Sequence, residues 1–160
     1  MTKRGFLGAL LAGGAALSSS QAGAAGEESF PFRLSDAEWR QRLSPAAYAV
    51  LRQHETERAG SSPLDREKRP GRFHCAGCDH PLFDAASKYD SGTGWPSFWQ
   101  PLPGGVGTRS DRSFFFMPRT EVHCANCGGH LGHVFEDGPP PTGLRYCMNG
   151  VAMTFVSAAG

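Results

Sequence analysis

Two pairs of cysteines constrain the fold of this chain more than any other feature. Cys75 and Cys78 form one C-x-x-C pair, and Cys124 and Cys127 form a second pair much further along the chain. Together they supply four thiolates for a tetrahedral zinc site, provided that the fold brings the two turns together. The spacer between the pairs is longer than in a compact zinc ribbon. We therefore expect a structural Zn²⁺, one per chain, that joins the strands around it.

The pattern leaves other uses of these four cysteines open. Two disulfides, or one redox-active pair, are the alternatives, and an oxidising compartment favours disulfides. A thioredoxin-type site is disfavoured, because that motif follows a strand and opens a helix in a βαβ pattern, and neither pair has this setting. The glycines in and after the turns, among them Gly77 and Gly128, suit positive-φ positions beside a metal.

The fifth cysteine, Cys147, has no structural partner in this scheme and is a candidate nucleophile. Cysteine reacts as the thiolate, and Arg145, two residues earlier on the same face of a strand, favours that form. Asn149 lies on that face as well and can donate a hydrogen bond. His130 and His133 titrate near neutral pH and can supply a proton. A lone cysteine is also often a small buried hydrophobe, so these residues alone leave both roles open.

The pattern of the chain predicts short strands and few helices. The high content of glycine and proline, 21 and 12 residues, indicates many turns. A capping box at Ser35–Glu38 and a helix start at Ser44-Pro45 predict two short helices between residues 35 and 54. We expect residues 55–71 to form a wrapping arm. The predicted strands follow at 72–75, 81–83, 113–117, 120–123, 131–135, 144–148 and 151–155.

The N-terminus has the layout of a bacterial export signal. Lys3 and Arg4 precede an apolar run over residues 6–17, and small residues follow at 22–24. The start resembles a twin-arginine signal with lysine in place of the first arginine, so the twin-arginine and Sec routes both remain open. A buried N-terminal helix or an uncleaved anchor are the alternatives. We expect residues 1–24 to be an export signal, 25–33 a linker and 34–160 one domain.

Export predicts where the protein acts and what it does not bind. Loss of the signal removes two positive charges and no negative ones, so the formal net charge falls from +1 to −1. A chain so close to neutral has no strong field for nucleic acid, and none is expected as a partner. We expect the mature protein in the periplasm, without stable membrane association after signal cleavage.

Several motifs follow one another in a characteristic order. They are Cys75-x-x-Cys78, the stretch 88–98 (KYDSGTGWPSF), the stretch 119–122 (RTEV), Cys124-x-x-Cys127, the stretch 130–139 (HLGHVFEDGP) and the stretch 142–149 (TGLRYCMN). Together they closely resemble the peptide methionine-R-sulfoxide reductases of the B type, the MsrB family, over roughly residues 34–156. The resemblance implies a mainly β fold with two antiparallel sheets, short N-terminal helices and a structural zinc held by the two C-x-x-C pairs.

The resemblance also implies an enzyme, a peptide-methionine (R)-S-oxide reductase that repairs oxidised proteins. Cys147 would attack the sulfur of methionine-R-sulfoxide, free or in proteins and peptides. His133 would protonate the sulfoxide oxygen, because oxide is a poor leaving group. Methionine then leaves, and Cys147 remains as a sulfenic acid.

The other site residues are carried over from the same motifs. His130 and Asn149 would orient the groups around the sulfoxide sulfur. Arg145 and Asp137 would tune charge and hydration. Trp95, on its glycine-rich loop, would form the wall that receives the ε-methyl group.

The sequence departs from many family members at Thr93, where they carry a resolving cysteine. The sulfenic acid should therefore be reduced directly by an external thiol, either a thioredoxin-like protein or a small thiol. A zinc cysteine acting as resolver is the alternative. A functional alternative from another class is a zinc-ribbon-like binding module without catalytic activity.

Overall fold

Two antiparallel sheets carry most of the chain in this computed structural model, which describes residues 28–113 and 116–158. The helices are α1 (Asp36–Arg42) and α2 (Pro45–Gln53), and single 3-10 turns span Pro63–Arg66, Ala85–Ser87 and Gly150–Ala152. The strands are β1 (Gly71–Cys75), β2 (Pro81–Asp84), β3 (Lys88–Tyr89), β4 (Ser97–Phe98), β5 (Val106–Asp111), β6 (Arg119–Cys124), β7 (His130–Phe135), β8 (Arg145–Met148) and β9 (Met153–Ser157). The mainly β prediction is confirmed. The predicted export signal lies outside the described residues.

The two predicted helices are present and begin as their capping residues require. The Ser35 hydroxyl accepts a hydrogen bond from the Glu38 backbone N–H, and the Glu38 carboxylate accepts one from the Ser35 N–H, which completes the capping box. Ser44 caps α2, with Pro45 in its first turn. Both helices bury apolar side chains in the core, Trp39 from α1 and Leu51 from α2.

An aromatic cluster joins the two sheets. The smaller sheet has the strand order β2-β1-β9, and the larger one has the order β3-β4-β8-β7-β6-β5. Phe73 and Phe83 of the smaller sheet are fully buried against Phe98 of the larger sheet, with ring centroids 5.0 and 4.2 Å from that of Phe98. Each such side chain contributes roughly 2–3 kcal/mol of burial free energy, so the cluster holds the sheets face to face.

The strand predictions fail in two places. Of the strand predicted at 113–117, residues 113, 116 and 117 lie outside any strand, because β5 pairs with β6 in a register that sets Asp111 opposite Arg119, and 114–115 lie outside the described residues. Phe116 and Met117 are therefore 93% and 72% exposed, although an apolar run suggested a strand there. The final strand begins only at Met153, since a 3-10 turn takes up the two residues before it. Strands β3, β4 and β5 were not predicted.

The arm after α2 is tied to the end of β8 through Glu57. Its carboxylate accepts hydrogen bonds from the backbone N–H groups of Gly150 and Val151, and its own N–H donates to the Asn149 side chain at 2.9 Å. Its carbonyl accepts from Trp95 Nε1 at 3.1 Å. One residue thus holds three segments together. Within the described residues, neither helix has the length and apolar character of a membrane span.

We predict that Glu57→Ala lowers the free energy of unfolding by about 1–3 kcal/mol, because it leaves the Gly150 and Val151 N–H groups without their acceptor. Urea denaturation measures the change. Glu55→Ala is the matched control, since Glu55 is exposed two residues away. Equal unfolding midpoints for the two variants would contradict the structural role of Glu57.

Candidate active site and metal centre

The four paired cysteines meet where the ends of β1 and β6 approach each other. Their sulfur atoms all lie within 4.8 Å of one another. The Sγ–Sγ distance is 3.7 Å from Cys75 to Cys127 and 3.6 Å from Cys78 to Cys124. A disulfide needs about 2.05 Å, whereas thiolates about 2.3 Å from a tetrahedral zinc ion lie about 3.8 Å apart. The four cysteines therefore form a metal site, and its donors and spacing fit zinc.

Each C-x-x-C pair lies in the same kind of turn. The Asp79 N–H donates to the Cys75 carbonyl, and the Gly128 N–H donates to the Cys124 carbonyl, both at 2.9 Å. Asp79 and Gly128 have left-handed φ angles of 61° and 71°. The expectation of glycine at such positions holds for Gly128. In the first turn the position belongs to Asp79 rather than Gly77, which is possible because aspartate tolerates this conformation better than most residues.

Cys147 lies in the larger sheet, at a cleft of about 320 Å³. Strand pairing places it opposite His133 of β7 on one side and Ser97 of β4 on the other. Five of the residues predicted for the active site line this cleft, namely Trp95, His133, Arg145, Cys147 and Asn149. The other two, His130 and Asp137, do not line it, but each contacts a residue that does.

The Cys147 thiol is governed by burial more than by charge. Burial raises its pKa, and the positive charge of Arg145 and hydrogen bonds from Thr93 and Arg145 oppose the shift without cancelling it. Arg145 therefore favours the thiolate, as predicted, but does not decide the protonation state. Because the pKa stays above that of a free thiol, Cys147 is mainly protonated at neutral pH.

Arg145 is held rigidly at the edge of the cleft. Its guanidinium donates two hydrogen bonds to Asp137, at 2.9 and 3.0 Å, and lies 4.4 Å from the ring centroid of Phe135. This forked pair fixes the direction of the charge. Asp137 itself is 64% exposed, so its role is to orient Arg145 from the solvent side.

His133 pairs with a carboxylate that the sequence did not suggest. Its Nε2 lies 2.8 Å from Asp111 Oδ2, and Asp111 also accepts hydrogen bonds from Arg119 and from the Ser113 N–H. Burial lowers the pKa of His133, and the hydrogen bond to Asp111 opposes that shift. His133 is therefore mainly neutral at pH 7. When the ring is protonated, the Asp111 carboxylate stabilises the imidazolium.

His130 lies behind His133, with their ring centroids 5.3 Å apart. Its Nδ1 lies 2.8 Å from the buried Glu121, whose carboxylate also contacts His54 and Arg109. The ligand atoms of His54, Glu121 and His130 are close enough to hold a metal ion. The contacts are already satisfied as hydrogen bonds, however, and the Arg109 cation sits on the same carboxylate. We therefore interpret this group as an ion-pair network that orients His130.

Asn149 uses both ends of its amide to hold the backbone. Its Oδ1 accepts from the Glu57 N–H and its Nδ2 donates to the Leu131 carbonyl, each at 2.9 Å. One amide hydrogen remains for another acceptor. The position of Asn149 in the cleft wall is thus set by the strands β7 and β8 and by the arm.

Trp95 follows a loop with two glycines in left-handed conformations. Gly92 and Gly94 have φ angles of 72° and 89°. A Cβ on Gly94 would lie 2.9 Å from Ala59 and from the Gly60 nitrogen. A hydrogen bond from Trp95 Nε1 to the Glu57 carbonyl holds this loop to the arm. The position of the indole in the cleft wall is thereby fixed.

Three residues of the site were missed from the sequence, and Thr93 was singled out only as the position of the resolving cysteine. Asp111 orients His133, and Glu121 orients His130. Glu57 positions Trp95 and Asn149. The Thr93 hydroxyl forms a hydrogen bond with Cys147. Glu121 carried a signal, since an acid on a buried strand calls for a partner. Asp111 carried none, because strand β5 was not predicted.

We predict that Cys124→Ser lowers metal content and thermal stability together, because a site with three thiolates loses one quarter of its ligands. Metal analysis of the purified protein and a thermal melt measure the two quantities. Cys147→Ser is the control and should keep both at the wild-type level, since Cys147 lies outside the metal site. An unchanged melting temperature in metal-free Cys124→Ser would contradict a structural metal.

We also predict that Arg145→Gln slows alkylation of Cys147 by iodoacetamide several-fold near pH 8. The Arg145 charge lowers the pKa of Cys147, so its removal raises that pKa and reduces the thiolate fraction. Mass spectrometry of the Cys147 peptide follows the rate. Arg72→Gln, on exposed positions of β1, serves as the control. Alkylation at the wild-type rate or faster would refute the effect of Arg145.

Comparison with known proteins identifies the family. The SelR domain model matches residues 43–157. The chain is 54% identical over 121 residues to the peptide methionine sulfoxide reductase MsrB of Agrobacterium fabrum. The aligned region covers 76% of this chain and 90% of that protein. It is 54% identical over 120 residues to the chloroplastic peptide methionine sulfoxide reductase B1 of Arabidopsis thaliana, 75% of this chain and 59% of that protein.

A third relative is the peptide methionine sulfoxide reductase MsrB of Leptospira interrogans, 49% identical over 121 residues, which are 76% of this chain and 92% of that protein. The SelR match spans both C-x-x-C turns and the cleft, and together with these relatives it confirms the resemblance drawn from the motifs. The chain therefore belongs to the SelR domain family, that of the MsrB peptide methionine sulfoxide reductases.

Proposed function

We propose that this protein reduces methionine-R-sulfoxide, free or in oxidised proteins and peptides, to methionine, with Cys147 as the nucleophile. The observation that carries the proposal is the cleft, where Cys147 lies opposite His133 and beside Trp95. The other four cysteines belong to the metal site, so Cys147 is the thiol left for chemistry. The family supplies the substrate class.

The reaction moves one oxygen atom between two sulfurs. The Cys147 sulfur attacks the sulfoxide sulfur, the sulfur–oxygen bond of the substrate breaks, and the oxygen ends on Cys147 as a sulfenic acid. The thiol proton of Cys147 ends on that oxygen, so this half-reaction balances without a further reagent. His133, directly opposite, is the group that delivers a proton to the oxygen as the bond breaks.

The remaining residues bind and orient the substrate. Trp95 offers an aromatic wall for the ε-methyl group. Arg145, fixed by Asp137, places positive charge near the sulfur and oxygen atoms that carry charge in the transition state. Asn149 has one free amide hydrogen for the substrate, and His130 supports His133 from behind.

Regeneration requires a thiol from outside the chain. Thr93 occupies the position of the resolving cysteine, and its hydroxyl contacts Cys147. The sulfenic acid reacts with one external thiol to give a mixed disulfide and water. A second thiol then releases Cys147 and leaves as part of the external disulfide. A thioredoxin-like protein or a small thiol fits this role.

We assign zinc to the four-cysteine site, where it neutralises the thiolates and joins the two sheets. The first pair begins at the end of β1 in the smaller sheet, and the second pair begins at the end of β6 in the larger sheet. We further propose that residues 1–24 direct export to the periplasm, so that the thiol reductant acts outside the cytoplasm. Both proposals fit the chemistry of the sequence, four thiolates in the first case and a basic start with an apolar run in the second.

We predict that the wild-type protein, in a single turnover, converts the R isomer of methionine sulfoxide to methionine and leaves the S isomer unchanged. One oxygen atom should be added to Cys147, because Thr93 cannot form an internal disulfide. Cys147→Ser should give no product, since it lacks the nucleophile. Chiral chromatography of the substrate and intact-protein mass spectrometry measure both results.

The same experiment separates the enzyme from an inactive binding module. The Cys147→Ser protein should retain metal and fold, so that loss of product reports chemistry alone. No product from either isomer by folded, metal-bound wild type would favour the module. An internal disulfide with loss of metal after one turnover would instead make a metal-site cysteine the resolver.

A further inference from the structure

A carboxylate on β5 reaches across the sheet to the histidine of the cleft. Asp111 ends β5 and His133 lies on β7, so the two strands flank β6 from opposite sides. Asp111 Oδ2 lies 2.8 Å from His133 Nε2. Asp111 does not line the cleft around Cys147, but its partners His133 and Arg119 do, so any effect on the substrate passes through them.

Asp111 is built to stay in place and to stay ionised. Its Oδ1 accepts from the Ser113 N–H at 2.9 Å, and Oδ2 accepts from Arg119 at 3.3 Å. Hydrogen bonds from Ser113 and His133 hold the pKa of Asp111 far below its usual range. An ionised carboxylate only accepts hydrogen bonds, so the His133 nitrogen that faces it must carry a proton.

That constraint decides what the other nitrogen of His133 can do. With the proton on Nε2, Nδ1 of the neutral ring has a free lone pair. Among the described residues, no hydrogen bond engages His133 Nδ1, and this atom is not one of the fully buried unpartnered ones. His133 lines the cleft opposite Cys147, so Nδ1 is the nitrogen available to the thiol and to the substrate oxygen.

We propose that Asp111 is a positioning residue for the reduction, which fixes His133 in the Nε2–H tautomer and stabilises its imidazolium form between two proton transfers. This inference rests on the proposed function of Cys147 and His133. In the first transfer, the thiol proton of Cys147 moves to Nδ1 as the sulfur becomes nucleophilic. In the second, Nδ1 returns that proton to the sulfoxide oxygen as it passes to Cys147, so protons and electrons balance within the site. The arrangement parallels the carboxylate–histidine pair of a catalytic triad.

The charges around His133 set the sign of the effect. Asp111 of β5 favours the imidazolium, whereas Arg119 of β6, His130 of β7 and burial itself disfavour it. Cys147 and Arg145 of β8 line the same cleft. Asp111 is thus the one negative charge that contacts the ring among the described residues, and its neutralisation must make His133 a weaker base.

The test compares Asp111→Asn with wild type in kcat, KM and pH profile for methionine-R-sulfoxide. We expect kcat to fall on the order of 100-fold, at the low end of what general acid–base catalysis contributes, while KM changes little. The acidic limb of the kcat/KM profile should move to lower pH, because removal of an anion lowers the pKa of the base. Asp111→Glu should restore part of the rate.

Asp84→Asn is the matched control. Asp84 also accepts the backbone N–H two residues later and also pairs with an arginine, but it lies on β2 away from the cleft. If folded Asp111→Asn has the kcat and pH profile of the wild-type protein, the inference is wrong. The proposed function still stands in that case, because the wild-type protein is active. Inactive wild type would instead refute the function.

A measurement on the unmodified chain covers the case in which Asp111→Asn does not fold. ¹⁵N NMR of the imidazole nitrogens, with the His133 signals assigned by their loss in His133→Gln, reports the tautomer directly. A protonated Nε2 and an unprotonated Nδ1 above the titration of His133 support the inference. The opposite tautomer, or a mixture of the two, overturns it.

Discussion

The contact between two C-x-x-C turns is the constraint on which the rest of the structure depends. One turn ends a strand of the smaller sheet and the other ends a strand of the larger sheet. Helix α2 packs on both turns, since Leu51 lies against Gly77 and Gly129, and Arg52 donates to the Cys127 carbonyl at 3.1 Å. A structural zinc contributes on the order of 10 kcal/mol, comparable with the about 5–15 kcal/mol stability of a whole domain. Without a metal, the two sheets would depend on the hydrophobic core and on the hydrogen bonds between their connecting segments.

The second C-x-x-C turn also positions the candidate active site. The second C-x-x-C pair lies between β6 and β7, so the metal site fixes the hairpin that carries Glu121, His130 and His133. Strand β8 then adds Cys147 to that hairpin in register with His133. The Cys147 sulfur therefore lies on the strand next to a hairpin whose connecting turn belongs to the metal site. The separation of Cys147 and His133 is set by backbone hydrogen bonds between strands rather than by loops.

The sequence predicted the parts of the site that depend on local pattern. Capping residues located both helices, and the C-x-x-C pairs located the metal site, because each signal lies within a few residues. The pairing of β5 with β6 could not be predicted, since Val106–Asp111 lacks the apolar alternation of a buried strand and its partner is set by the register across a turn. Asp111 was missed for that reason. The apolar run near Phe116 misled the prediction because hydrophobicity indicates burial only when a sheet has a place for it.

The buried position of Cys147 has a consequence for survival among oxidants. Hydrogen peroxide reacts with thiolates, and a cysteine kept protonated by its surroundings offers it little to attack. A thiol that is not oxidised by peroxide also does not proceed to sulfinic and sulfonic acid, which form irreversibly. If Cys147 loses its proton only when a sulfoxide occupies the cleft, the thiolate forms only in the presence of the substrate. A repair enzyme made this way is slow to become one of the damaged molecules that it repairs.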